Sequence, residues 1–293
     1  YIDGELKSNS EEDLFNLDEN TAVLEIEMQS TQSSGYITLE RVKNGEVLEE
    51  SDISLVSVPM LLNHHLQPFE HVFAMAGNSV VNNGAFIAGF EQALGERFTS
   101  FDVRNYGWDV WIQDEFEFAS LYSPDSRSNI IIDSIRDRGL DGLAENEWAA
   151  PDFAIETWGS RVANSQDSFG NLEVAPPVTV DGIDYPFGRI YYGTMFYGGQ
   201  EYTIVDELAE EFEAQAVQKP FKLNIDWLCV GHVDEFMTFI PDASSAKGFK
   251  LLMTDVNVGY EFFESLDPSM SLPKYSADHH YDTVGAILDD NAL

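Results

Sequence analysis

Cysteine is almost missing from this 293-residue chain; Cys229 is the one example. A single thiol excludes internal disulfides and any Cys-rich zinc site. No Asn-x-Ser/Thr sequon occurs, so N-glycosylation is not indicated. Basic residues are scarce, 15 Lys and Arg against 52 Asp and Glu, a net charge of −37. A nucleic-acid binder needs the opposite sign to displace counterions from phosphates, so nucleic acid is not an expected partner. Such a field favours cations instead: calcium, or an Arg/Lys-rich protein. No apolar run approaches the roughly 18 residues of a membrane span, so no membrane segment is expected. The chain opens at Tyr1 rather than Met and carries no signal-peptide pattern, as if processed or trimmed. Compartment stays open between cytoplasmic and secreted.

What is present reads as a globular chain, 44% hydrophobic and 13% aromatic. Residues 1–20 are polar and acidic, a tail or linker. Alternation over 21–28, 36–42 and 47–58, with a turn at 43–45, predicts half-exposed antiparallel strands. Short strands are expected at 57–62 and 71–76, a helix over 84–94, and strands at 97–102 and 108–118. Further strands are expected at 129–132, 190–192, 223–239 and 248–253, a helix at 205–217, and a short helix beginning at 260. Recurrent β-β-α-β order without a sequence repeat suggests α/β architecture with pseudo-symmetry.

Four stretches carry chemistry. Residues 227–239, WLCVGHVDEFMTF, read as a buried strand that puts His232 and Asp234 on one face. An imidazole beside a carboxylate can move protons and hold a cation. Taken alone, such a pair is more often a structural contact in a core. Cys229, on the opposite face, is expected in the core. In WIQDEFEF (111–118), an extended backbone would line up Gln113, Glu115 and Glu117 and turn Asp114 the other way. Three oxygen-bearing side chains in a row suit calcium, which takes six to eight hard ligands. A solvated acidic edge is the plain alternative, opposed by Trp111, Phe116 and Phe118. IIIDSIRDRGL (130–140) offers Asp133, Ser134 and Asp137 beside Arg136 and Arg138, without EF-hand spacing. DSFGNLEV (167–174) combines a tight turn at Gly170 with Glu173. The remaining histidines, His64, His65, His71, His279 and His280, form no metal set and are expected on surfaces or loops.

Over roughly residues 57–266 the motifs WIQDEFE, DSIRDRGL, PDF, DSFGNLEVAPPVTV, YPFGRI, DWLCVGHVDEF and KGF followed by LL resemble the catalytic domain of the protein-arginine deiminases. The resemblance implies a pseudo-fivefold α/β propeller of ββαβ modules, partial in this chain, over 53–293, preceded by an acidic tail and small β-rich leader over 1–52. It implies calcium-dependent hydrolysis of peptidyl-arginine to peptidyl-citrulline and ammonia. Asp114 and Asp234 would clamp the guanidinium and His232 would act as general acid/base. Trp111 would line the channel, and Arg138 would hold a substrate backbone carbonyl. One calcium site would use Gln113, Glu117, the carbonyls of Phe169 and Leu172, and Glu173. The other would use Glu115, Asp133, Ser134 and Asp137, where the family usually has Asn at the last position.

The family's nucleophilic cysteine lies in a last module that this sequence does not contain, so a C-terminal fragment of the same protein is the expected partner, besides an arginine-containing protein or peptide. A small-molecule guanidine hydrolase and an inactive calcium-binding pseudoenzyme are the alternatives.

Overall fold

The computed structural model describes residues 34–56, 60–77, 82–122, 127–151, 153–215, 217–272 and 281–290. The expected tail over 1–20, the strand over 21–28 and His279–His280 lie outside them. The described residues fall into two compact units that part after Glu235. Both are mixed α/β; the first is built on several small sheets rather than one large one, and the second on a single two-stranded sheet. No described helix is long and apolar enough to cross a membrane.

The first unit opens with an antiparallel hairpin, β1 (Ser34–Lys43) and β2 (Glu46–Val56), turned by Asn44 and Gly45 at positive φ. Next come β3 (Met60–Leu62), β4 (Val72–Ala76), helix α1 (Gly84–Leu94) and β5 (Phe98–Asp102), the expected strand-strand-helix-strand order. Helix α1 forms where its spacing predicts, with Phe86 and Phe90 one turn apart in ring contact and Ile87 buried. It ends at Gly95, whose N–H returns to the Glu91 carbonyl. Strands β4 and β5 pair in parallel, as a helical crossover requires.

A single helical turn, α2 (Ile112–Glu115), then runs into β6 (Phe116–Tyr122). With β7 (Arg127–Asp133), helix α3 (Leu143–Glu147) and β8 (Phe153–Thr157), this completes a sheet in the order β3-β6-β7-β8. Strand β7 is buried on both faces, so its period of two splits three isoleucines between two cores. Ile130 and Ile132 join Met60, Leu62, Leu172, Tyr192 and Phe212. Ile131 joins Phe101, Tyr106, Phe116, Leu140 and Leu143 on the other side, with Trp148 packed edge-on against Phe116.

Strands β9 (Leu172–Ala175), β10 (Val178–Val180), β11 (Ile183–Tyr185), β12 (Arg189–Tyr197) and β13 (Gln200–Tyr202) follow, then α4 (Asp206–Gln215) and β14 (Phe221–Asn224). Strand β12 is the centre, antiparallel to β9 and β13 and parallel to β14. Gln218 bridges to the other sheet: its Oε1 accepts the Leu62 N–H at 2.8 Å and its Nε2 donates to the Leu62 carbonyl at 3.0 Å. One backbone donor and one backbone acceptor in the interior are thereby satisfied.

The strand expected over 223–239 is not continuous. It stops at Asn224, a loop follows, and Val233–Glu235 form a 3-10 turn. Trp227, Val230 and Cys229 are exposed there, so Cys229 is not the core residue its apolar neighbours suggest.

The second unit holds a two-stranded antiparallel sheet, β15 (Met237–Pro241) and β16 (Phe249–Met253), with helices α5 (Val256–Glu264) and α6 (Val284–Leu288). Leu251, Leu252 and Met253 on β16, with Val256, Val258 and Phe262 on α5, present their apolar side chains to solvent.

Candidate active site and cation-binding carboxylates

The geometry of the site is fixed by a glycine. A Cβ on Gly170 would lie 2.8 Å from Asp234 Oδ2, 2.9 Å from His232 Nδ1 and 3.0 Å from Asp114 Oδ1. Three functional groups, 120 positions apart along the chain at their widest, thus converge over one bare backbone carbon. They arrive on two short elements, with the glycine on a third, and His232 directly precedes the turn that carries Asp234. Asp114 sits in α2, Gly170 in a 3-10 turn over Phe169–Asn171, and Asp234 in the turn Val233–Glu235.

Those turns are held by side chains. Asn171 is fully buried; its Oδ1 accepts the Gly193 N–H at 2.9 Å, and its Nδ2 donates to the carbonyls of Gln166 and Gly193. Glu235 Oε1 accepts the N–H groups of Gly231 and His232 at 2.8 and 2.7 Å, and Gln166 donates to the carbonyls of Val230 and Gly231. Gly231 has φ +89°, and a Cβ there would strike Met195 Cε at 2.6 Å. His232 and Asp234 are therefore placed by a capped turn, not by strand alternation.

His232 is buried, and its Nε2 lies 2.9 Å from the Ser165 carbonyl. A carbonyl only accepts, so Nε2 carries a proton, and Nδ1 faces the carboxylates, 3.7 Å from Asp114 Oδ1. Asp234 keeps an exposed edge, but desolvation of its carboxylate raises it to about 6, against the pull of His232 and with Glu173, Asp114 and Glu235 adding. Crowded negative charge around an imidazole favours a bound planar cation.

Trp111 is exposed beside this centre. Arg138 is half-buried: Nη2 donates to Asp114 Oδ2 at 3.3 Å and to the Trp111 carbonyl at 3.4 Å, while Nε lies 3.1 Å from Asp109 Oδ2.

The acidic side chains sort into two groups. Because residues 112–115 are helical, Gln113, Glu115 and Glu117 do not form the extended row that alternation predicts. Gln113 Nε2 instead reaches one turn forward to Glu117 Oε1 at 2.8 Å. Glu117 is pushed well above the ordinary carboxylate range by desolvation first and then by Glu173. His65, exposed in a loop as expected, pairs through Nε2 with Glu173. Phe169 and Leu172 are buried beside them, and the Phe169 carbonyl already accepts the Leu172 N–H.

The second group lies on the far side of α2. Glu115 is wholly buried and neither of its oxygens has a hydrogen-bond partner; Oδ1 of buried Asp133 lacks one as well. Burial raises Glu115 to about 8, with Asp133 the next contributor. Burial likewise raises Asp133 to about 7, helped by Glu145, Asp141 and Asp137. The Ser134 hydroxyl donates to the Asp167 carbonyl at 2.8 Å, and Asp137 is exposed.

Orphaned buried carboxylate oxygens are costly without a cation. All-oxygen donors on this scale fit a hard divalent ion such as calcium. Among the described residues, however, no three His, Cys, Asp or Glu side chains are gathered so that they could hold a metal ion as they stand. Closing around one requires side-chain movement.

Asp109, His65, Asn171 and Glu235 are contributors that sequence reasoning did not find. For the last two, the only signal was their place inside DSFGNLEV and GHVDE.

Comparison with known proteins agrees with the motif reading. The family model described as Protein-arginine deiminase (PAD) matches residues 48–281. Protein-arginine deiminase type-4 of Homo sapiens is 42% identical over 159 residues, covering 53% of this chain and 24% of that protein. The type-4 enzyme of Rattus norvegicus is 35% identical over 211 residues, covering 71% and 32%. The type-1 enzyme of Homo sapiens is 42% identical over 160 residues, covering 53% and 24%. The chain belongs to the protein-arginine deiminase family. It matches about a quarter to a third of the length of these relatives.

Proposed function

We propose that this chain carries the substrate clamp and the cation sites of a calcium-dependent protein-arginine deiminase. The convergence of Asp114, His232 and Asp234 on Gly170 is the observation that supports it most. The hydrolysis exchanges one guanidinium nitrogen for a water oxygen, leaving a citrulline side chain and ammonium. Asp114 and Asp234 receive the N–H groups of the flat guanidinium and orient its carbon. His232, with its Nε2 proton committed to Ser165, uses Nδ1 to take a proton from the attacking group and deliver one to the departing nitrogen. Exposed Trp111 lies along the substrate's aliphatic stem, and Arg138 grips a backbone carbonyl, which selects peptide over free arginine.

The attacking thiolate that forms the amidino intermediate belongs, in this reading, to a further segment of the same polypeptide that completes the α/β propeller beyond the leader over 1–52. The uncovered apolar side chains of β16 and α5 are what such a segment would bury. Calcium would be held by Gln113, Glu117, Glu173 and the carbonyls of Phe169 and Leu172 at one site. Glu115, Asp133, Ser134 and exposed Asp137 would hold it at the other. Bound there, it neutralises the carboxylates on either side of α2 and so fixes Asp114.

The test is ammonia release by the complete, calcium-supplied protein from a blocked arginyl peptide and from free arginine. Release from the peptide supports the proposal. Preference for free arginine makes the protein a small-molecule guanidine hydrolase, and no release from either makes it a calcium-binding pseudoenzyme.

A further inference from the structure

Arg138 does not stand on its own loop alone. Its Nε lies 3.1 Å from Oδ2 of Asp109, and the Oδ1 of the same carboxylate accepts the backbone N–H of Trp111 at 3.0 Å. One side chain, only 10% exposed, thus joins the two residues that frame the proposed entrance. A single carboxylate with one oxygen committed to each side leaves neither free to drift without the other.

The segment that delivers Asp109 is strained and tightly built. Gly107 and Trp108 both adopt positive φ, +63° and +66°, and the left-handed region is rare for a residue as bulky as tryptophan. The turn is hydrogen bonded from Trp108 N–H to Val103 and from Asp109 N–H to Tyr106. Directly against it lies Gly139, the residue after Arg138, where a Cβ would sit 2.2 Å from the Tyr106 carbonyl oxygen and 3.1 Å from Asp109 Cβ. Only a glycine lets the two segments close to this distance. Backbone strain of this kind persists where the surroundings over-determine it, and it concentrates at functional sites.

We propose that Asp109 is a positioning residue for peptide substrates: it holds Arg138 and the Trp111 backbone in register, so that the carbonyl-gripping guanidinium and the wall of the entrance act as one unit. This rests on the protein-substrate reading above. Asp109 touches no reacting atom, so its contribution falls on engagement of the peptide and not on chemistry.

The test compares wild type with Asp109→Asn in the complete, calcium-loaded protein, on a blocked arginyl peptide and on an alkylguanidine that has no backbone carbonyl. Asparagine keeps an oxygen for the Trp111 N–H but removes the charge that anchors Arg138. The expected result is a KM for the peptide raised about tenfold with kcat within about twofold, and no change on the alkylguanidine. Asp109→Glu, which keeps the charge, is expected to recover part of the peptide KM. Equal losses on both substrates, or no change on either, overturn the proposal.

If wild type turns over neither substrate, the deiminase reading fails and equilibrium binding decides for Asp109. Peptide bound about tenfold more weakly by Asp109→Asn, with alkylguanidine binding unchanged, sustains it. Equal peptide binding by both proteins, or no peptide binding by wild type, overturns it.

Discussion

Gly170 lies so close to His232 that a methyl group on it would come within 2.9 Å of Nδ1. The imidazole and the two carboxylates face each other across the space over that glycine. Gly170→Ala therefore forces all three apart, and overpacking costs about 1–3 kcal/mol of stability. The expected outcome is a folded protein whose kcat/KM on arginyl peptides falls by about 100-fold or more. Thermal melting and steady-state kinetics on the same preparation check it; near-normal activity would show that the three groups do not act together.

The buried carboxylates make metal-free stability depend on pH. Glu115 and Asp133 are raised to about 8 and about 7, so the folded state holds their protons more tightly than the unfolded chain does. That stabilisation is complete at low pH and is lost as pH rises through the interval from about 4 to about 8. In chelator, the melting temperature is expected to fall by about 5 °C or more between pH 5.5 and 8.5. Calcium is expected to flatten the dependence and to release protons on binding near pH 7, measurable by calorimetry in buffers of different ionisation enthalpy. Glu115→Gln should flatten the chelator curve by itself.

Glu117 shares its burial with Glu173 and is tied to Gln113. Glu117→Gln removes a charge from the proposed first cation site and leaves the shape almost intact. Calcium affinity at that site is expected to drop at least about tenfold, read by direct titration and not by activity. Unchanged binding would remove Glu117 from the ligand set.

Arg161 is the partner of a different buried acid. Its two terminal nitrogens donate to the two oxygens of Asp167 at 2.8 Å each, and Asp167 is 2% exposed. Arg161→Ala leaves that carboxylate the Asn164 N–H at 2.7 Å but no countercharge, and is expected to cost about 3 kcal/mol, less any part regained by water entering from the arginine's exposed side. Adding Asp167→Asn should restore part of the loss, a coupling that denaturant melts of the two single variants and the double will show.

Much of this was readable before any coordinates. The 3.6-residue spacing of 84–94 gave α1 its residues, because a helix of three turns leaves a clear pattern. The strand expected at 129–132 lies within β7, and its burial on both faces emerges only from the fold. Two segments misled for the same reason: each is too short for periodicity to speak. Four residues of α2 make one turn, which in WIQDEFEF is indistinguishable from alternation. In GHVDE, the Gly231 φ of +89° and the Glu235 cap decide the backbone, and neither is a hydrophobic pattern. His65 is exposed in a loop as expected, but its pairing with Glu173, 108 positions away, was not legible, since only the fold brings them together.

Cys229 turns outward three positions ahead of His232, and no second sulfhydryl exists in this chain. Within this chain, a maleimide dye or nitroxide attached there would need no engineering to be site-specific. It would ride on the very loop that carries the imidazole, and so turn each titration with a cation or a guanidine into an optical or magnetic readout of how that loop responds.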